Sequence, residues 1–164
     1  VVATIPVPIQ FSLPEGWRSV PPDRVDAGEA AFVALRPPGV KGFTPNITIA
    51  GKLHDAAEPL AKLADEAVER LRRGAPDAEI GKRKESGSEA NPGLTQTVRM
   101  TLLLNNQPEH LVQLQVFLGM RDTRDPSRNA VLEIVLSALA EQFQDVVGDF
   151  QQFVSSIKPE EATS

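Results

Sequence analysis

A change of period near the C-terminal end constrains this chain more than any other feature. Val131-Leu132-Glu133-Ile134-Val135-Leu136 alternates, with Leu132, Ile134 and Leu136 toward one side and Val131, Glu133 and Val135 toward the other, as a strand requires. Further on, Phe143, Val146, Val147, Phe150, Val154 and Ile157 recur at steps of three and four, which puts one wide apolar stripe on a helix. Gln142, Gln144, Asp145, Asp149 and Gln151 fill its other side. A strand that runs into such a helix needs a sheet for the helix to cover. Phe143, Phe150 and Phe153 are three of only seven Phe, so this helix is the natural lid on that sheet.

The preceding chain supplies the sheet. Ile9 to Leu13 alternates and stops at the turn Pro14-Glu15-Gly16, just before the single Trp, Trp17. Ala30 to Leu35 is a short apolar run ended by Pro37-Pro38-Gly39, and Ile47 to Leu53 is the most β-branched stretch of the first half. His54 to Arg73 shifts to a helical period through Leu60, Leu63, Ala64, Ala67, Val68 and Leu71. Its start is either a capping box of Asp55 and Glu58 or Pro59 in the first turn, and Gly74-Ala75-Pro76 ends it. Ala78 to Lys84 is a short strand, and Glu85 to Gly93 a flexible loop. Leu94–Leu104 and Glu109–Leu118 form a hairpin about Asn105-Asn106-Gln107-Pro108, and the charged loop Arg121 to Arg128 leads to the strand described first. Hairpin, loop and strand make a three-stranded antiparallel meander. With about six or seven strands, two helices and no βαβ alternation, the pattern predicts an α+β class with a mainly antiparallel sheet. The expected organisation is an extended lead-in over 1–8, a single domain over 9–158 and a flexible tail over 159–164.

Composition narrows the partners. A net charge of −5 and a pI near 5.1 argue against nucleic acid or an anionic membrane surface, which both require a basic footprint. The absence of cysteine excludes disulfides, thiolate metal sites and a lipidated cysteine within these residues. No apolar run approaches the roughly 20 residues of a membrane helix. With no signal-peptide pattern at Val1, the expected compartment is cytoplasmic, or extracytoplasmic if a leader has been removed.

Catalytic constellations are sparse. His54 and His110 are the two histidines, and neither stands in a recognised motif. Glu66 with Glu69 and Asp145 with Asp149 read as solvated helix faces. The acids within Arg121-Asp122-Thr123-Arg124-Asp125 would face competition for a cation from the interleaved arginines. No catalytic residue, metal or cofactor is assigned, and an enzyme is not expected. Thr48, Thr97, Arg99, Thr101, Gln113, Gln115 and Glu133 are expected to form one polar sheet face, wet or available for binding.

Phe11-Ser12-Leu13-Pro14-Glu15-Gly16-Trp17 and Gly42-Phe43-Thr44-Pro45-Asn46-Ile47, with the ending from Asp149 to Pro159, resemble the actinobacterial LpqN/LpqT family in order and spacing. The resemblance spans nearly the whole chain. It implies the Mog1/PsbP-like fold, an α/β/α sandwich about an antiparallel sheet. It also implies roles of the kind its relatives have: Ran binding, a photosystem II subunit, chaperones of secreted effectors and mycobacterial envelope lipoproteins. Those lipoproteins carry a signal peptide and a lipidated cysteine, and neither pattern stands in these residues, so the expectation is either a trimmed N-terminus or a cytoplasmic relative. The signature offers Trp17, Phe43, Thr44, Pro45 and Asn46 as candidate binding residues. Their structural alternative is a core plug at Trp17 and a register-setting turn at Phe43–Asn46, the Asn side chain bonding local backbone.

The reading that follows is a non-enzymatic protein-binding adaptor or chaperone-like module, using the polar face or a groove beside the last helix, with another protein as partner. Its alternatives are a carrier of a lipid-like ligand in a cavity lined by Phe143, Phe150 and Phe153, and a small hydrolase built on His54 or His110. The sequence leaves the oligomeric state open.

Overall fold

The computed structural model describes residues 8–25, 30–89, 91–121 and 125–159. Most of the expected lead-in (1–8), the end of the expected tail (160–164) and residues 122–124 of the charged loop lie outside the described residues. The elements in order are β1 (Ile9–Gln10), β2 (Arg18–Val20), a 3-10 turn (Pro22–Val25), β3 (Phe32–Leu35), β4 (Asn46–Asp55) and α1 (Leu60–Arg72). There follow β5 (Glu79–Gly87), β6 (Pro92–Leu104), β7 (Gln107–Arg121), β8 (Arg128–Leu139), α2 (Ala140–Ser156) and β9 (Lys158–Pro159).

Seven strands form one antiparallel sheet in the order β2-β3-β4-β8-β7-β6-β5, and β1 pairs separately with β9. The meander β6-β7-β8 is present as expected, closed by a two-residue turn at Asn105 and Asn106 with φ of 52° and 63°. Two consecutive positive φ values match the twist of a hairpin, and Asn tolerates them. The period-2 pattern of β8 sorts its sides. Leu132, Ile134 and Leu136 join Ile47, Ile49, Val116, Val146, Phe150 and Phe153 in the core under α2. Val131 joins Leu94 and Phe117 under α1. Helices therefore cover opposite faces, giving an α/β/α sandwich. Full burial of Phe150 and Phe153 stabilises the α2 layer by roughly 1.5–3 kcal/mol each.

Three expectations change, and the start of α1, left open between two choices, is decided. No side-chain capping box begins α1: Pro59 is its N-cap, and the Asp55 carboxylate instead accepts the Ala57 amide at 2.9 Å in the preceding turn. The strand before it runs further than its apolar residues, because Leu53, His54 and Asp55 pair with Ala130, Asn129 and Arg128. Glu85, Ser86 and Gly87 belong to β5, and Pro92 and Gly93 to β6, so the loop is shorter than its composition implies. The polar residues also do not share one face. Thr97 pairs with Leu114 on the α2 side, whereas Gln115 pairs with Gln96 on the α1 side.

Candidate functional site

The α2 face of the sheet is wider than its helix. α2 packs on β8 and β7, so β6 and the edge strand β5 remain open beside it. On β6, Thr95, Thr97 and Thr101 are half-buried and Arg99 is exposed. The resulting cleft encloses about 470 Å³ between Thr97, Arg99, His110, Val112, Ala140, Phe143 and Gln144. A smaller one of about 270 Å³ lies further along β7, beside Leu118, Met120 and Pro159. The floor is hydroxyl and guanidinium, and the wall is a phenyl ring with a neutral amide.

A one-residue bulge decides which bases face this groove. Ile80 pairs with Val98 and Lys82 with Thr97, so Gly81 is the extra residue in β5. A shift of one residue sends every later side chain to the other face. Lys82 and Lys84 therefore share the side of Thr97 and Thr95, while Arg83 shares that of Gln96. Arg83 donates to Asp65 Oδ1 at 2.7 Å and to Gln96 Oε1 at 2.9 and 2.7 Å. From there a buried amide chain crosses the sheet. Gln96 donates to Gln115 Oε1 at 2.7 Å and to the Ala64 carbonyl at 3.0 Å; Gln115 donates to Gln113 at 2.9 Å, and Gln113 to Ser137 at 3.1 Å. Buried amides remain tolerable when each partner is supplied. Nothing in the local sequence marks Gln96 as fully buried.

Among the described residues, Lys82, Lys84 and Arg99 enter no ion pair. Two acids border the groove. Glu79 lies opposite Arg99 in register. Asp77 accepts the Thr101 amide at 3.0 Å, and hydrogen bonds from the Thr101 hydroxyl and amide hold its carboxyl below the usual carboxylate range.

The signature residues sit elsewhere and do not converge. Trp17 is 7% exposed in the main core, its indole N–H donating to Asp149 on α2 at 2.9 Å. Phe43 packs on the third apolar cluster, with Val98, Met100, Leu111 and Leu139. Its carbonyl accepts the Gln142 amide at 3.1 Å, and Gln142 also caps the Leu139 N–H at 2.9 Å. Pro45 is buried, and Asn46 donates to the Thr44 carbonyl at 3.1 Å, the local bond expected of it. The two motifs thus grip α2 at points about two turns apart.

Among the described residues, neither histidine is hydrogen-bonded to a hydroxyl nucleophile. His54 is 8% exposed, and its Nε2 lies 3.3 Å from the Glu58 carbonyl. It borders a cleft that Ser127 also lines, but the Ser127 hydroxyl donates to Asp125 at 2.6 Å. His110 is exposed at the groove's end. Of the phenylalanines proposed to line a lipid cavity, Phe150 and Phe153 are 1% and 0% exposed and fill the core, and Phe143 alone of the three borders the groove. Among the described residues no His, Cys, Asp and Glu cluster could hold a metal, and no helix is long and apolar enough to cross a membrane.

Architecture and topology define the class, a Mog1/PsbP-like α+β protein. No protein-family model and no curated protein matches the chain. Among solved structures it is similar to LpqN, involved in cell envelope biogenesis of Mycobacterium tuberculosis, with TM-score 0.67 and 13% identity over 98% of this chain and 89% of that one. It is similar to the cyanobacterial PsbP, CyanoP, from Synechocystis sp. PCC 6803, with TM-score 0.61 and 12% identity over 93% of this chain and 86% of that one. The Ran-binding protein Mog1p of Saccharomyces cerevisiae gives TM-score 0.54 and 13% identity, over 92% of this chain and 89% of that one. At these identities the likeness establishes the fold.

Proposed function

We propose that the chain is a non-enzymatic module that binds another polypeptide in the groove between α2 and β6. The observation that carries this reading is the cleft of about 470 Å³ itself, where three elements bring an apolar ring, a neutral amide, a threonine hydroxyl and a guanidinium that enters no ion pair among the described residues to one open space. That mixture suits a peptide, which presents apolar and polar groups together. Mog1p supplies a precedent, since a protein of this fold is Ran-binding. Trp17, Phe43, Thr44, Pro45 and Asn46 enter this reading as the frame that fixes α2, and hence the groove wall. The module would serve in the cytoplasm as expected from sequence, or beside the cell envelope, for which LpqN is the precedent.

A photo-crosslinking residue placed at Gln144 in native cells tests the groove, with the same residue at Glu66 on the exposed face of α1 as control. A discrete polypeptide adduct at Gln144 and not at Glu66 is expected. Adducts at Glu66 alone, or equally at both, would remove the groove as the site.

A further inference from the structure

We infer that the occupant of the groove is an acidic segment of its partner, with carboxylates flanking one apolar side chain; this rests on the reading of the groove as a polypeptide site. The chain carries a net charge of −5, yet this face shows a local positive surplus. Lys82 and Lys84 stand on it beside Thr97 and Thr95, and Arg99 stands in the next row, opposite Val112. The bulge at Gly81 produces this arrangement. Of three consecutive bases it turns only Arg83 to the α1 face, where Asp65 and Gln96 satisfy it, and displays the two lysines.

The bordering acids offset the display only in part. Asp77, held ionised by the neutral Thr101, and Glu79, opposite Arg99, offset part of it, and the lysine pair Lys82 and Lys84 carries what remains. The α2 wall adds no carboxylate to the cleft, since it contributes Ala140, Phe143 and Gln144. An apolar side chain has Phe143 and Val112 to pack on, and flanking carboxylates reach Arg99 and the lysines, Arg in its bidentate geometry. Nucleic acid fits less well, because three cations on a chain of this charge give a small footprint for a phosphate backbone. The same argument disfavours an anionic membrane surface.

The test uses the whole chain, isotope-labelled, and a short fluorescent peptide with Asp at alternate positions around one Leu. Its Asn-for-Asp counterpart, inorganic phosphate and phosphatidylglycerol vesicles are the comparisons. The Asp peptide is expected to bind about tenfold tighter than the Asn peptide, as two or three exposed ion pairs would give. Binding should weaken with salt and shift the amide signals of Thr97, Arg99 and Gln144. R99Q should reduce the preference about two- to threefold and the K82Q/K84Q double variant should remove most of it, both keeping the melting temperature. Both peptides binding equally at the groove would overturn the acidic preference and leave the polypeptide site standing. Shifts confined to the α1 face would overturn both. Binding by neither peptide, or equal effects from phosphate or vesicles, would overturn the acidic-partner assignment.

Discussion

The indole N–H of Trp17 donates to Asp149 Oδ2 at 2.9 Å, joining positions 132 residues apart. Arg36 Nε lies 3.5 Å from the same oxygen, so one carboxylate on α2 gathers the turn before β2 and the end of β3. Since α2 is also the wall of the groove, this contact couples N-terminal packing to the candidate binding surface.

Trp17→Phe keeps an aromatic ring in the core and deletes the donor. The expected loss is about 1.5–3 kcal/mol, the worth of a hydrogen bond to a charged acceptor. Trp17→Ala also opens a cavity and should cost about 3–5 kcal/mol. Urea denaturation measures both. Equal stability of wild type and Trp17→Phe would show that the bond contributes nothing net.

The buried amide chain makes a second prediction. Gln96→Leu fits the site in size but strips Arg83 of an acceptor and leaves the Gln115 oxygen without its donor. Unmet partners at such depth cost about 2–3 kcal/mol. Gln96→Leu combined with Gln115→Leu should cost less than the sum, with a coupling of about 1 kcal/mol in a double-mutant cycle. Strict additivity would mean the two amides act independently.

How legible the fold was depends on how local each signal is. β8 and α2 were readable because Val131–Leu136 and Phe143–Ile157 state their periods within a few residues of chain, and β6–β7 because alternation flanks Asn105-Asn106. The pairing of β1 with β9 has no local signature, since Ile9 meets Pro159 only after the whole sheet forms. β2 holds just Arg18, Ser19 and Val20, too few to show a period. The polar face failed for a reason of parity: Thr97 and Gln115 both read as polar, but the register turns them to opposite sides. The groove was anticipated as lying beside the last helix. Its basic rim has no local sign, because nothing in Lys82-Arg83-Lys84 tells of the bulge at Gly81 that divides the run between two faces.

Deleting Gly81 follows directly. Without the extra residue, the downstream half of β5 must flip faces or slip against β6. Arg83 then leaves Gln96 and Asp65, and Lys82 and Lys84 turn away from the groove. Loss of stability, together with faster hydrogen exchange at Arg83 to Glu85, is the expected result. An unchanged exchange pattern would show that the register is set elsewhere. Gly81→Ala retains the residue count, and its added Cβ comes no closer than 3.8 Å to the Thr97 carbonyl, so it should keep the arrangement.

Lys41 carries the last prediction, on pH. It occupies the turn closed by reciprocal Val40–Phe43 backbone bonds and reaches Glu141 at 2.9 Å and Glu109 at 3.1 Å. The Glu141 and Glu109 hydrogen bonds raise its pKa above the ordinary 10.5. A group whose folded value is raised contributes fully below its unfolded value, and that contribution disappears as pH climbs through the folded value. The stability difference between wild type and Lys41→Met should therefore be level from neutral pH to near 10.5 and shrink above it. Because the ammonium is exposed, added salt should reduce the difference at neutral pH as well. Thermal melts of both proteins across that range decide it. A difference that persists in strong alkali would trace to packing of the lysine stem, and the turn would then be held by Phe43 and its neighbours without help from charge.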